Sequence, residues 1–108
     1  MINRYLRFTS AGGGEVEMIT KVGIPVALQG YAGGKSEISL NGENIRELLQ
    51  DMVNKTPELG QKIFNEAGEI RRFINIYLND ENIRVLKREN TPVKKGDKVL
   101  IIFAIAGG

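Results

Sequence analysis

The sequence predicts an α+β domain, a mixed sheet of four to five strands with one main helix packed on one face. Three observations carry this. Two strand-like segments, within residues 18–28 and 35–40, precede any helical pattern. One long amphipathic stretch, "NIRELLQDMVNKTPEL", follows them. The last strand candidate, "VLIIFAI", is apolar at every position, as expected of a strand buried in the middle of a sheet.

Residues 1–17, "MINRYLRFTSAGGGEVE", read as an N-terminal extension that is expected to be mobile. Tyr5, Leu6 and Phe8 are apolar, but Gly12, Gly13 and Gly14 break any periodicity at once. The other reading pairs Tyr5–Phe8 as an extra edge strand. Residues 18–108 form the domain, and Met18 opens its first strand, "MITKVGIPV". Gly30, Gly33 and Gly34 mark a turn. Ser36–Leu40 then alternates polar and apolar, so residues 18–28 and 35–40 are expected to pair as a hairpin.

In the helix, Ile45, Leu48, Leu49, Met52 and Val53 fall at i, i+3, i+4, i+7 and i+8, one apolar stripe. Asn44 is the expected N-cap, with Glu47 three residues on as its capping-box partner. Pro57 cannot continue the helix, which should end near Lys55 or Thr56. Asp51 and Lys55 fit an i, i+4 pair on the solvent side. "GQKIFNEAGEIRR" is irregular, with a short helical turn around Gln61–Phe64. "FINIYL" alternates with aromatic and β-branched residues, a strand; "NDEN" is a turn, "IRVL" a short returning strand, and "TPVKKGDK" a loop before the last strand. The resulting order is strand, strand, helix, strand, short strand, strand. This is the β-grasp, or ubiquitin-like, arrangement; a doubly wound fold needs more helices.

Composition limits the chemistry. At 108 residues the chain has room for one domain and one modest core. It contains neither cysteine nor histidine. That removes disulfides, thiolate nucleophiles, thiolate-held clusters, the usual zinc sites and the commonest general base near neutral pH. The formal charge of +2 is too small to argue for nucleic acid or an anionic membrane. The longest apolar run, Val99–Ala106, is far short of the roughly 20 residues that span a bilayer. No signal-peptide pattern opens the sequence, so a cytoplasmic protein is expected. Gly33-Gly34-Lys35-Ser36 shares only the end of a phosphate-binding loop and lacks its strand–loop–helix setting. Asp80 with Glu81, and Arg71, Arg72 and Arg84, read as solvated surface.

Two features remain. Side chains alternate along strands, so Val99 and Ile101 should face the helix together with Ile74, Ile76 and Leu78. Phe73, Asn75, Tyr77, Leu100 and Ile102 then point the other way. An outward patch of Phe73, Tyr77, Leu100 and Ile102 with no helix over it marks a partner surface, unless the extension or residues 57–72 cover it. The second feature is "FAIAGG", Phe103–Gly108, which tapers from large to small. A glycine end has no Cβ to obstruct a narrow channel. Its α-carboxylate, once adenylated, becomes an acyl donor to sulfide, a thiol or an amine.

These residues resemble the ubiquitin-like sulfur carriers, a family that includes the small subunit of molybdopterin synthase and the carrier of thiamine thiazole synthesis. The stretch "RFINIYLNDENIR" (Arg72–Arg84), Gly96-Asp97 before the last strand, and the final "AIAGG" are most similar to the branch that feeds cysteine synthesis in actinobacteria. The resemblance covers residues 18–108. It implies a protein substrate rather than an enzyme. A ubiquitin-activating-type adenylating enzyme would use ATP and Mg²⁺ to adenylate Gly108, so this chain itself would bind no cofactor and no metal. A sulfur donor would then form a thiocarboxylate on Gly108, with Gly107 permitting entry into both active sites. Phe73, Tyr77, Leu100, Ile102, Phe103 and Ala106 would contact partners. The acceptor would be a cysteine synthase, the large subunit of molybdopterin synthase or a thiazole synthase. Phe103 is a departure, since relatives often carry proline there. Two other functions fit the same pattern: a ubiquitin-like modifier forming isopeptide bonds through Gly108, and a non-catalytic interaction module.

Overall fold

The computed structural model describes residues 19–104. The expected extension, Met18, and the tail residues Ala106, Gly107 and Gly108 lie outside the described residues.

Five strands form one mixed sheet: β1 (Ile19–Gly23), β2 (Glu37–Asn41), β3 (Ile74–Leu78), β4 (Glu81–Asn82) and β5 (Lys98–Phe103). Their spatial order is β2-β1-β5-β3-β4. The apolar β5 is central, parallel to β1 and antiparallel to β3. The helices α1 (Ile45–Lys55) and α2 (Pro57–Ile63) pack on one face. Val22, Leu40, Ile74, Ile76 and Ile101 of the sheet meet Ile45, Leu48, Met52, Leu59 and Ile63 of the helices in one core, each at most 1% exposed. The α+β, β-grasp expectation is met, with a second short helix added.

The local chemistry of α1 is as its sequence suggests. Asn44 Oδ1 accepts the Glu47 N–H at 2.9 Å. Glu47 Oε1 accepts from Glu43 N–H at 2.9 Å, one residue before the expected capping-box position. Asp51 does pair with Lys55, at 3.0 Å, but its side chain is only 12% exposed. The same carboxylate accepts the Asn41 N–H at 2.8 Å, so it ties the end of β2 to the helix instead of facing solvent. Ile45, Leu48, Leu49 and Met52 are buried, while Val53 is 37% exposed at the margin of the stripe.

Four segments differ from expectation, each for a local reason. The first strand stops at Gly23 rather than running to residue 28. Pro25 has no N–H to donate to a ladder, and Val26–Ala32 winds into a 3₁₀ helix that sends Leu28 and Ala32 into the core. Second, the stretch after Pro57 is helical from Pro57 itself to Ile63, earlier than the expected Gln61–Phe64 turn. Proline ends α1 yet suits the first position of α2, where its missing N–H would have no partner anyway. Third, residues 57–63 pack on the helical side and place Leu59 and Ile63 in the core, so they do not cover the outer face of the sheet. Fourth, the returning strand is Glu81–Asn82, not "IRVL". Asn82 Oδ1 accepts the Arg84 N–H at 3.0 Å and caps a 3₁₀ turn at Ile83–Val85, ending the ladder. The β3–β4 turn is tight because Asn79 (φ 51°) and Asp80 (φ 77°) both adopt the left-handed conformation, which a type I′ turn requires and Asn and Asp tolerate.

Candidate docking face and tail root

Strand alternation divides the sheet cleanly. Thr20 and Val22 of β1, Val99 and Ile101 of β5, and Ile74, Ile76 and Leu78 of β3 are buried toward the helices. Leu100 and Ile102 on β5 and Asn75 and Tyr77 on β3 take the other face. The register sets Tyr77 opposite Leu100 and Asn75 opposite Ile102, so these four side chains form one block. Leu100 is 43% exposed; Tyr77 and Ile102 are half-buried.

The block extends onto β1. Gly23 pairs with Leu100 in the parallel register, and a Cβ at Gly23 would come within 2.6 Å of Leu100 Cδ1. The leucine therefore lies across a glycine backbone. Asn75 Oδ1 is buried in this face and accepts no hydrogen bond.

Two of the expected contact residues sit differently. Phe73 precedes β3, so alternation does not govern it, and Phe103 falls in register opposite the inward Ile74. Their rings meet edge to face, with centroids 5.2 Å apart and an interplanar angle of 89°. The Ala104 N–H donates to the Phe73 carbonyl at 2.7 Å. Phe73 and Phe103 thus clamp the point where the chain leaves the central strand, four residues before Gly108. Both stay partly exposed, at 42% and 37%. The candidate residues Ala106, Gly107 and Gly108 lie beyond the described residues.

A concavity of about 730 Å³ lies on the helical side. It is floored by Leu49, Val53, Pro57, Gly60 and Phe64 and rimmed by Arg46 and Arg71. Among the described residues no group of three or more acidic, histidine or cysteine side chains is placed to hold a metal ion. No helix among them is long and apolar enough to cross a membrane.

A β-grasp sheet whose central strand runs directly into the C-terminal segment, with an apolar outer face beside it that none of the described elements covers, is the architecture of ubiquitin-like carriers. The sulfur carrier protein CysO of Mycobacterium tuberculosis is 31% identical over 93 residues, covering 84% of this chain and 100% of that relative. A chain in the crystal structure of the Amycolatopsis orientalis BexX/CysO complex superposes with a TM-score of 0.74 at 31% identity, covering 82% of this chain and 99% of that one. The solution structure of small archaeal modifier protein 1 from Methanosarcina acetivorans gives 0.75 at 30% identity, covering 86% and 99%. The chain belongs to the ThiS family, whose model matches residues 22–108, and it is a ubiquitin-like sulfur carrier.

Proposed function

We propose that the carrier works through the carboxylate of Gly108 as a substrate of partner enzymes, without catalysing a step itself. The carboxylate attacks the α-phosphorus of ATP on a ubiquitin-activating-type enzyme that supplies the Mg²⁺, and pyrophosphate leaves. Hydrosulfide then attacks the acyl carbon; AMP leaves with the bonding electron pair, and a thiocarboxylate remains. At the acceptor enzyme the thiocarboxylate gives up sulfide, and water restores the carboxylate. The observation that carries this reading is the tail root. The Phe73–Phe103 contact and the Ala104–Phe73 hydrogen bond hold the exit of β5 beside the apolar face of Tyr77, Leu100 and Ile102. A partner seated on that face receives the chain end at a defined place. Gly107 and Ala106 then fit a narrow channel because they are small.

The similarity to CysO favours an acceptor in cysteine synthesis over the large subunit of molybdopterin synthase or a thiazole synthase. We place the carrier and its partners in the cytoplasm, where ATP is available. Intact mass spectrometry after incubation with the cognate activating enzyme, ATP, Mg²⁺ and sulfide tests the reaction. The expected product has one oxygen replaced by sulfur at Gly108, and deletion of Gly107–Gly108 removes it. An unchanged mass with active enzyme overturns the reading.

A second reading is favoured by the similarity to small archaeal modifier protein 1. In it the same activated Gly108 is attacked by a lysine amine, and AMP leaves as an isopeptide bond forms. Gly-Gly remnants on lysines of cellular proteins, dependent on this gene, distinguish it.

A further inference from the structure

The outer face of the sheet carries a charge feature that its apolar centre does not explain. Lys21 on β1 and Lys98 on β5 are direct partners in the parallel register, both exposed, and alternation sets both on the face that carries Leu100. Like charges directly opposite each other across two strands disfavour the pairing. Among the described residues, none in register with them or next to them in sequence offsets them. The residue opposite Lys21 on β2 is Ser39. The residue beside Lys98 on the β3 side is Asn79, whose carbonyl-type Oδ1 accepts the Lys98 backbone N–H at 2.9 Å. Asp97, next to Lys98 in sequence, is already occupied: Oδ1 accepts from Asn79 Nδ2 and Oδ2 from the Lys94 N–H, at 2.9 and 2.8 Å. Glu37 shares the face, opposite Gly23, and pairs with neither lysine. The Lys55–Asp51 ion pair lies on the helical side.

We propose that the Lys21–Lys98 pair is a docking element for a protein partner that presents carboxylates at the margin of an apolar surface. The apolar surface covers Leu100, Ile102 and Tyr77, and the carboxylates meet the two ammonium groups two positions before Gly23 on β1 and Leu100 on β5. This inference rests on the outer sheet face being the docking face. The charge complementarity accounts for two exposed lysines kept side by side where either alone would be more favourable. Charges at the border of an interface act mainly on the rate and specificity of encounter, so the pair would select acidic-margined partners from other proteins with apolar patches.

The test uses the full chain and its cognate adenylating enzyme, with affinity and association rate read at about 50 mM and about 300 mM NaCl, where charge screening differs strongly. Lys21→Glu/Lys98→Glu is expected to weaken binding by about tenfold or more at low salt, chiefly through the association rate, with the difference shrinking at high salt. Lys94→Glu/Lys95→Glu, in the preceding loop, should leave binding within about twofold by the same rule. The single change Lys21→Glu should raise the melting temperature, because it turns a like-charged pair into an opposite one, while still weakening binding. A purely structural role moves stability and binding together. Binding of the double variant within about twofold of wild type at both salts overturns the proposal. Leu100→Ala and Ile102→Ala separate the two readings. If they weaken binding and the lysine changes do not, only the lysine assignment fails; if they too bind normally, the docking face itself is misplaced.

Discussion

Leu100 lies across Gly23. The two residues are register partners on neighbouring parallel strands, and the leucine side chain occupies the space a Cβ would take, with 2.6 Å from that position to Cδ1. The most exposed apolar side chain of the docking block thereby lies against the β1 backbone, on the same face as Tyr77 and Ile102. Gly23→Ala tests the arrangement. The clash falls on the far end of a mobile side chain, so the fold should survive with a stability change below about 1.5 kcal/mol, the scale of one off-rotamer side chain. The leucine must swing off the sheet, and affinity for the activating enzyme should fall by up to about tenfold. Combining it with Leu100→Ala should remove the effect of the alanine at 23. If the two changes are simply additive in a binding titration, Gly23 does not act through Leu100.

The Phe73–Phe103 contact should be measurable as a coupling. A double-mutant cycle of Phe73→Leu and Phe103→Leu, followed by denaturant unfolding, is expected to give an interaction energy of about 0.5–1.5 kcal/mol. If the tail root guides the chain end, the single variants should also slow thiocarboxylate formation more than they weaken partner binding. Zero coupling, with wild-type formation rates, would count against the clamp.

Asn75 is a polar group in the wrong place for stability. Its Oδ1 is buried without a partner, opposite Ile102. Removing a buried acceptor that makes no hydrogen bond, and putting a β-branched residue in a strand, should both help. Asn75→Val is expected to stabilise the domain by about 1 kcal/mol, a rise of roughly 4–8 °C in melting temperature for a domain of this size. A lower melting temperature would show that the Asn75 amide stabilises the domain.

Asn44 holds the start of α1. Asn44→Ala removes the acceptor of the Glu47 N–H and should cost about 1 kcal/mol. Asn44→Asp keeps the acceptor and should be close to neutral. Equal losses in chemical denaturation would assign the effect to the neighbouring bridge with Pro92 rather than to the cap.

How far the sequence could be read depended on the range of the interaction. The helix stripe from Ile45 to Met52, its Asn44 cap and the alternation in Ile74–Leu78 were legible, because each is set by residues within a turn or two of one another. The same alternation correctly assigned Tyr77, Leu100 and Ile102 to the outer face. It could not show that Phe73, one residue before β3, and Phe103, in register with the inward Ile74, meet ring to ring at the sheet margin. The sequence offered only a turn around Gln61–Phe64 where α2 begins at Pro57, because proline was read as a stop and its second use, as a start, depends on Leu59 and Ile63 finding the core.

The sequence by itself determined the β-grasp order of elements, the inward faces of α1, β3 and β5, and the similarity to sulfur carriers in the stretch Arg72–Arg84. Only the tertiary structure decided what stands beside what. Gly23 and Leu100 are 77 positions apart in the chain, as are Lys21 and Lys98, and no local pattern links either pair. They meet because β1 and β5 run parallel at the centre of the sheet, and the register of that pairing is set by burial of Val22 and Val99 on the opposite face. A slip of one residue would expose both valines, so the core fixes the register and the register composes the docking face.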